Sequence, residues 1–138
     1  MSADVVTPSL IAVYGTLRAP AVRRRLGVEA VLRFRGRCRL PGRLYDLGDY
    51  PGLVAGDGTV QAELYALTDP RALARIDAFE DIVPGNPAAS LYRRECWRML
   101  APDVEAWVYV YNRPVAGLRR VSGGDWMRLA RRGGARLG

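Results

Sequence analysis

The sequence predicts an α+β fold, a small barrel or strongly curved sheet that carries short helices at its edge. Segments of alternating apolar residues, rich in valine and tyrosine, recur along the chain, while helical patterns are few and short. The chain has 138 residues, of which 49% are hydrophobic, and this is enough for one ordinary core. We therefore expect residues 1–138 to form a single domain.

The N-terminal part of the chain predicts strands at residues 9–14, 30–40 and 42–47. A short helix lies between the first two strands, because Pro20 suits the first turn of a helix and Gly27 suits its end. Pro41 and Gly42 separate the second strand from the third.

The rest of the chain predicts strands at residues 59–67, 92–100 and 105–112. Residues 48–58 read as a loop, in which Asp57–Gly58 is a hairpin signal. Residues 81–91 contain too much proline, glycine and asparagine for regular structure. Residues 125–133 predict a last short helix.

The formal net charge is +7, and all 21 basic residues are arginine. A basic excess is typical of nucleic-acid binding, but the exclusive use of arginine favours a coding bias. In the predicted strand, Arg33, Arg35, Arg37 and Arg39 alternate with other residues, which predicts one cationic face and one buried face. Because no aromatic platform accompanies them, we favour a solvated strand face over a nucleic-acid stripe.

The sequence contains no apolar stretch of about 18 residues and no secretory signal pattern. We therefore expect a soluble, cytoplasmic protein without a membrane partner; its oligomeric state is open. Cys38 and Cys96 lie far apart without C-x-x-C spacing, so they predict neither a redox centre nor a zinc site. Both are expected to be small buried hydrophobes.

Histidine is absent from the chain, which removes the commonest general base, the Ser-His and Cys-His pairs, and most zinc sites. Carboxylates are then the leading candidates for acid–base chemistry. No metal site is predicted.

One glutamate occupies an unusual position. Asp69 caps a helix that starts at Pro70, and its apolar arc consists of Ala72, Leu73, Ile76 and Phe79. Glu80 falls on the same arc, whereas Asp77 lies at its margin and Asp81 points further towards solvent. Loss of hydration there would raise the pKa of Glu80 and suit it to general acid–base catalysis. An equally weighted alternative is a buried structural ion pair with an arginine.

The sequence VYGTLR, residues 13–18, follows the first strand directly. Gly15 allows the backbone to approach a ligand, and successive N–H groups in such a turn can hold a carboxylate or phosphate. Thr16 and Arg18 would add donors. The alternative is an ordinary strand-to-helix turn.

Together these motifs resemble the gamma-glutamylcyclotransferase-like family, particularly its small bacterial and gamma-glutamylamine cyclotransferase branches. VYGTLR resembles the substrate-binding loop of the family, and RIDAFED resembles the segment that carries its catalytic glutamate. LPGRLYDLGDYPGL, VQAELYAL, LYRRE, AWVYVYN and VSGGDW resemble its other recurring blocks, in the same order. The resemblance covers residues 10–126 and implies a small mixed β-barrel flanked by helices.

The resemblance also implies a reaction. The α-amine of a γ-glutamyl group attacks the γ-carbonyl, closes a five-membered ring and expels an amine or amino acid, leaving 5-oxoproline. Glu80 would move the protons, and no metal or cofactor is implied, since both reacting groups belong to one molecule. Backbone groups of Tyr14, Gly15, Thr16 and Leu17 would hold the γ-glutamyl group.

Further residues of the resemblance carry open alternatives. Tyr92 and Arg94 match a recurring Y-x-R, as pocket residues or as core edge and surface. Tyr111, with Tyr109, would line the pocket or fill the barrel, and we expect Trp107 to fill it.

Two features depart from the family pattern. Asp81 stands where many relatives have glycine, and a longer segment, DIVPGNPAAS, precedes the Y-x-R block. Both concern the mouth of the expected pocket, and therefore the leaving group.

Two other functions are weighed beside the cyclotransferase. The same pocket could bind an acidic metabolite without converting it, and the arginine-rich strand could bind nucleic acid. We rank the cyclotransferase first and nucleic-acid binding last.

Overall fold

A computed structural model describes residues 8–127 of the chain. Its strands are β1 (Leu10–Val13), β2 (Leu32–Asp46), β3 (Pro51–Leu67), β4 (Tyr92–Arg98), β5 (Glu105–Tyr111) and β6 (Arg119–Arg120). Its helices are α1 (Pro20–Leu26) and α2 (Ala72–Phe79), and short 3-10 turns occupy Thr16–Arg18, Glu29–Val31, Pro87–Ala89 and Ser122–Gly124. Of the described residues, no helix is long and apolar enough to cross a membrane.

The strands form one mixed sheet in the order β4-β5-β1-β3-β2-β6, curled into a half-barrel that confirms the predicted fold class. The pairing of β1 with β5 is parallel, and the other pairings are antiparallel. Strand β1 therefore lies inside the sheet, with β3 on one side and β5 on the other. Its residues Ile11, Ala12 and Val13 are all buried.

Two hydrophobic layers cover the two faces of this sheet. Inside the curl, Ala12 packs with residues of β2, β3 and β5 and with Trp126. On the other face, Ile11 and Val13 pack against Val22 of α1 and Ile76 of α2. Because both faces are covered, the first strand is an uninterrupted apolar run rather than an alternating one.

The predicted break between two strands at Pro41–Gly42 is wrong, because β2 continues to Asp46. The pairing with β3 shifts register there, and Gly42 has a φ of +142°, which a side chain would disfavour. Pro41 pairs with Thr59 and Arg43 pairs with Val54, so residues 55–58 protrude opposite a single glycine. The irregularity thus bends a continuous hairpin rather than ending a strand.

The predicted loop over residues 48–58 is also shorter than expected, since β3 already begins at Pro51. The turn of the hairpin lies at residues 47–50. It is closed by the N–H of Leu47, which donates to the carbonyl of Tyr50 at 3.0 Å. Asp57–Gly58 belongs to the protruding part of β3 and is not the hairpin turn.

A second register shift, around Arg35, divides the arginines of β2 between two faces. Arg33 pairs with Ala66, whereas Arg37 pairs with Glu63, so the two arginines stand on opposite sides of the sheet. Phe34 is 59% exposed instead of buried. The prediction of one continuous cationic face is therefore wrong.

The helices follow their predicted signals closely. Gly27 ends α1 with a φ of +78°, as expected for a glycine at that position. Helix α2 begins at Ala72, two residues after Pro70, and the carboxylate of Asp69 accepts the N–H of Arg71 at 3.0 Å. Most of the predicted helix at residues 125–133 lies outside the described residues.

We expect Trp126→Ala to lower the free energy of unfolding by about 3–5 kcal/mol, because its ring is fully buried inside the curl. Urea denaturation would measure this loss. Phe34→Ala is the control, since that aromatic ring is 59% exposed. A similar loss in both variants would contradict the assignment of Trp126 to the core.

Candidate active site

A cavity of about 280 Å³ lies between the segment after β1 and the end of α2. Three parts of the chain that are distant in sequence meet there: residues 12–17, the turn at residues 49–51 and residues 79–81. Its lining comprises Ala12, Val13, Tyr14, Gly15, Thr16, Leu17, Asp49, Tyr50, Pro51, Phe79, Glu80, Asp81, Leu91, Tyr92 and Tyr109.

The first wall is the tight segment that follows β1. Gly15 has φ −126° and ψ −132°, and a Cβ built on it would lie 2.8 Å from Cγ of Pro51. The glycine therefore allows this segment to lie directly against the start of β3. Within the described residues, the N–H groups of Gly15, Thr16 and Leu17 donate no hydrogen bond. Three consecutive unpaired N–H groups are a feature of anion-binding backbone segments.

Tyr14 anchors this wall. Its buried hydroxyl donates to the carbonyl of Tyr109 at 2.5 Å and accepts the N–H of Leu53 at 3.3 Å. Burial raises the pKa of Tyr14 well above its ordinary value, with a contribution from the charge of Glu80. The hydroxyl thus stays protonated and joins β1 to β3 and β5.

Glu80 lies on the opposite wall, directly after the last turn of α2. Its N–H donates to the carbonyl of Ile76, which is fully buried and holds the helix against the sheet. The predicted position of Glu80 on the inner arc of the helix agrees with this placement. The residue as a whole has intermediate exposure to solvent, and it lines the cavity.

No arginine pairs with Glu80 in the part of the chain that the structure describes, so the ion-pair alternative is not realised there. Burial raises the pKa of Glu80 to about 8, and the like charges of Asp81 and Asp77 add to this effect. A carboxyl with such a pKa exchanges protons near neutral pH.

Asp81 is exposed, as the helical arc predicts, and it also lines the cavity. Its φ is +58°, in the left-handed region that glycine adopts without steric cost and that aspartate and asparagine tolerate. The N–H of Leu91 donates to its carbonyl at 2.9 Å. The chain turns at Asp81 as soon as the helix ends, and the charge of Asp81 contributes to the raised pKa of Glu80.

A partly buried ion pair between Arg94 and Asp77 holds α2 to the sheet. Arg94 donates from Nε and Nη2 to the two carboxylate oxygens of Asp77, at 2.9 and 3.3 Å. Tyr109 donates to the same carboxylate at 2.6 Å, and the guanidinium of Arg94 lies 4.4 Å from the ring centroid of Trp107. Arg94 thus positions the helix that carries Glu80, and it does not line the cavity.

Tyr92 lines the cavity, and its hydroxyl donates to the carbonyl of Pro51 at 2.6 Å. Tyr111 lies behind it, outside the lining, with the two ring centroids 5.6 Å apart. Arg18 also lies outside the lining, where it forms ion pairs with Glu63 and Asp125. The structure therefore brings six of the eight candidate residues together and directs Arg18 to another part of the fold.

Sequence reasoning missed Asp49, Tyr50 and Phe79. The first two belong to a turn whose position depends on the β2–β3 hairpin, and no local pattern indicates that this turn faces residues 14–17. Phe79 was assigned to the apolar arc, but it is 40% exposed at the cavity.

The described residues contain no group of three or more histidine, cysteine, aspartate or glutamate side chains arranged to hold a metal ion.

Residues 11–128 match the family model described as gamma-glutamyl cyclotransferase, AIG2-like. The chain belongs to this family. The assignment confirms the resemblance seen in the sequence motifs, and the family is one of enzymes.

Particular relatives of this gamma-glutamylcyclotransferase agree with the assignment. It is 41% identical over 85 residues to the gamma-glutamylcyclotransferase family protein YtfP of Escherichia coli K12, a match that covers 62% of this chain and 67% of that protein. The solution structure of Escherichia coli YtfP superposes with a TM-score of 0.66 at 35% identity, over 86% of this chain and 96% of that one. This chain is also similar to the gamma-L-glutamyl-butirosin B gamma-glutamyl cyclotransferase of Niallia circulans. The identity is 35% over 112 residues, which cover 79% of this chain and 70% of that protein.

We expect the carboxyl of Glu80 in this gamma-glutamylcyclotransferase to titrate near pH 8 and to shift to lower pH in Asp81→Asn. The substitution removes a like charge and so stabilises the ionised form. Carbon-13 NMR of glutamate-labelled protein would follow the titration, with the resonance assigned from Glu80→Gln.

Asp103→Asn is the control for that titration, because Asp103 is an exposed acid outside the cavity lining. Titration of Glu80 near its ordinary value of 4.5 in the native protein would contradict the described environment.

Proposed function

We propose that the protein cyclises a γ-glutamyl group of a small amine or peptide derivative, releasing 5-oxoproline and the free amine. The observation that carries the proposal is the pairing of two features across one cavity. Within residues 8–127, Glu80 presents a carboxyl without an arginine partner and with a pKa near 8, and Gly15, Thr16 and Leu17 line the same cavity with N–H groups that donate no hydrogen bond.

The unpaired N–H groups suit the α-carboxylate of the γ-glutamyl group. Burial of this anion without a partner would be costly, and three backbone donors offset that cost without a titratable cation. Anchoring the carboxylate at Gly15, Thr16 and Leu17 leaves the α-nitrogen and the γ-carbonyl free to turn towards Glu80. Gly15 is suited to this contact, since a side chain there would collide with Pro51.

Glu80 then moves protons between the two nitrogens. Its carboxylate removes a proton from the α-ammonium, and the resulting amine forms a bond to the γ-carbon. Glu80 delivers this proton to the leaving nitrogen, and the bond from the γ-carbon to that nitrogen breaks. The second proton of the attacking nitrogen then follows the same route through Glu80, so the α-nitrogen loses two protons, the leaving nitrogen gains two and departs as an ammonium, and Glu80 returns to its starting state.

The environment of Glu80 matches both halves of this task. With a pKa of about 8, roughly a tenth of the carboxyl is ionised at pH 7, and the protonated form donates readily to a departing nitrogen. Burial also raises the pKa of Tyr92 and Tyr109 far above the ordinary value, so these hydroxyls remain protonated beside the cavity.

The proposed reaction uses groups of the chain alone. The nucleophile and electrophile belong to the same molecule, and ring closure therefore needs a folded substrate and a proton carrier rather than a second activated reactant. The Niallia circulans relative is named as a cyclotransferase of a γ-L-glutamyl derivative, and this similarity supports a γ-glutamyl substrate.

Glu80→Gln should lower the rate of 5-oxoproline release by about 10²–10⁴-fold, because the amide keeps the shape of the side chain and cannot carry the proton. Mass spectrometry of 5-oxoproline after incubation with γ-glutamyl amines, γ-glutamyl dipeptides and glutathione would measure the release.

Binding of the same compounds to both proteins is the control for that experiment. Equal binding with product from the native protein alone supports the assigned role. Equal turnover by both proteins would exclude Glu80 as the proton carrier, and binding without product from the native protein would indicate a metabolite-binding module.

A further inference from the structure

A buried arginine of α1 supports the first wall of the cavity from behind. Arg23 is 6% exposed, and its Nη1 donates to the carbonyl of Leu17 at 2.8 Å. Its Nε donates to the carboxylate of Glu29 at 2.6 Å, and its guanidinium lies 4.8 Å from the ring centroid of Tyr65. Arg23 itself lies outside the cavity lining. Its guanidinium therefore reaches a bound ligand through Leu17 rather than by direct contact.

Two hydrogen-bonded peptide groups connect Arg23 with the cavity. The carbonyl of Leu17 shares a peptide group with the N–H of Arg18, which donates to the carbonyl of Gly15 at 3.0 Å. That carbonyl shares a peptide group with the N–H of Thr16, which lines the cavity and donates no hydrogen bond within residues 8–127. An N–H becomes a stronger donor when the carbonyl of its own peptide group accepts a hydrogen bond, above all from a cation. The chain of bonds thus ends at a strengthened N–H that is free to bind an anion.

The positive charge of Arg23 is only partly balanced. Glu29 is its one ion-pair partner among the described residues, and the other carboxylate oxygen of Glu29 lies 4.0 Å from Nη1 of Arg24. One carboxylate therefore faces two guanidinium groups. The side chain of Glu29 is also 37% exposed, so water weakens its field more than that of the buried Arg23. An excess of positive charge remains beside the carbonyl of Leu17.

Arg18, the other arginine of this region, provides no such excess. Its guanidinium is paired with Glu63 at 3.3 Å and with Asp125 at 3.0 Å, so two carboxylates oppose one cation. Arg23 is therefore the cation that polarises the peptide groups of residues 15–18.

Resting on the proposed function, we propose that Arg23 is a positioning residue for the α-carboxylate of the substrate. Its charge strengthens the N–H of Thr16 through two peptide groups, and its bond to Leu17 fixes the turn that presents the N–H groups of residues 15–17. The anion is thereby stabilised by a buried guanidinium that it does not touch. A guanidinium in the lining itself would lower the pKa of Glu80, and the indirect arrangement avoids this effect.

Two substrates that differ at the α-carbon test this inference. One is the γ-glutamyl amide of butylamine, and the other carries an α-carboxamide in place of its α-carboxylate. Release of butylamine measures both reactions, and the ratio of the two kcat/KM values reports recognition of the carboxylate. Because each variant is compared with the native protein through this ratio, the different basicity of the two α-amines cancels.

We expect Arg23→Gln to lower the carboxylate-to-carboxamide ratio about three- to tenfold, because glutamine carries no charge. The loss should appear in KM for the carboxylate substrate rather than in kcat, since Glu80 lies on the opposite wall. Arg23→Lys keeps the charge and should retain most of the native ratio.

Arg24→Gln is the matched control. Arg24 is the next residue of α1, and its side chain is 63% exposed. The substitution removes the same charge from the same helix but leaves the bond from Arg23 to Leu17 in place. The native ratio should therefore be kept.

Glu29→Gln separates an electrostatic role of Arg23 from a purely structural one, and it decides the question even if Arg23→Gln does not fold. The amide oxygen of glutamine still accepts from Nε of Arg23, while the opposing charge is removed. We expect the carboxylate-to-carboxamide ratio to rise about two- to threefold. A purely structural role predicts no rise.

The outcomes separate this inference from the proposed function. A native ratio in Arg23→Gln, or no rise in Glu29→Gln, would overturn the role of Arg23 and leave the cyclotransferase intact. An equal loss in Arg24→Gln would also overturn it, because the effect would then depend on net charge alone. Release of butylamine from neither substrate by the native protein would overturn the proposed function, and the inference with it.

Discussion

The burial of β1 on both faces and both edges is the constraint on which the site depends. Ile11 and Val13 face the helices and Ala12 faces the inside of the curl, while β3 and β5 occupy the two edges. Such a strand has one position in the sheet, and it ends directly at the segment with unpaired N–H groups. The hydroxyl of Tyr14, bonded to β5 and β3, holds that segment in place. The position of residues 14–17, the first wall of the cavity, is therefore fixed by the packing of the hydrophobic core.

The second wall is held differently, by one ion pair at the edge of the helix layer. Asp77 and Arg94 tie α2 to β4, and Tyr109 joins the same carboxylate from β5. Glu80 lies one turn further along, and the negative charge of Asp77 contributes to its raised pKa. Asp77 is thus paired with arginine and fixes the helix. Glu80 has no arginine partner among the described residues, and its carboxyl is the group that titrates near neutral pH.

Charge is distributed so that the cavity stands apart from the rest of the surface. Arginines satisfy most acidic side chains of the described chain, yet they are absent from the described lining. The bulge at Arg35 also divides the arginines of β2 between two faces, so they do not form one continuous cationic stripe. In a protein with a formal charge of +7, the described cavity lining therefore contains carboxyl groups and no arginine.

Local patterns in the sequence determined β1, both helices, the cap at Gly27 and the inward position of Glu80, because each depends on residues within a few positions of one another. Only the tertiary structure decided that β2 and β3 continue through Pro41 and Gly42, since a bulge absorbs residues that otherwise break a strand. It also decided that Asp49 and Tyr50 line the cavity and that Arg18 and Tyr111 do not. These placements follow from strand register and from pairings between distant segments, and a single sequence contains no periodic signal for either.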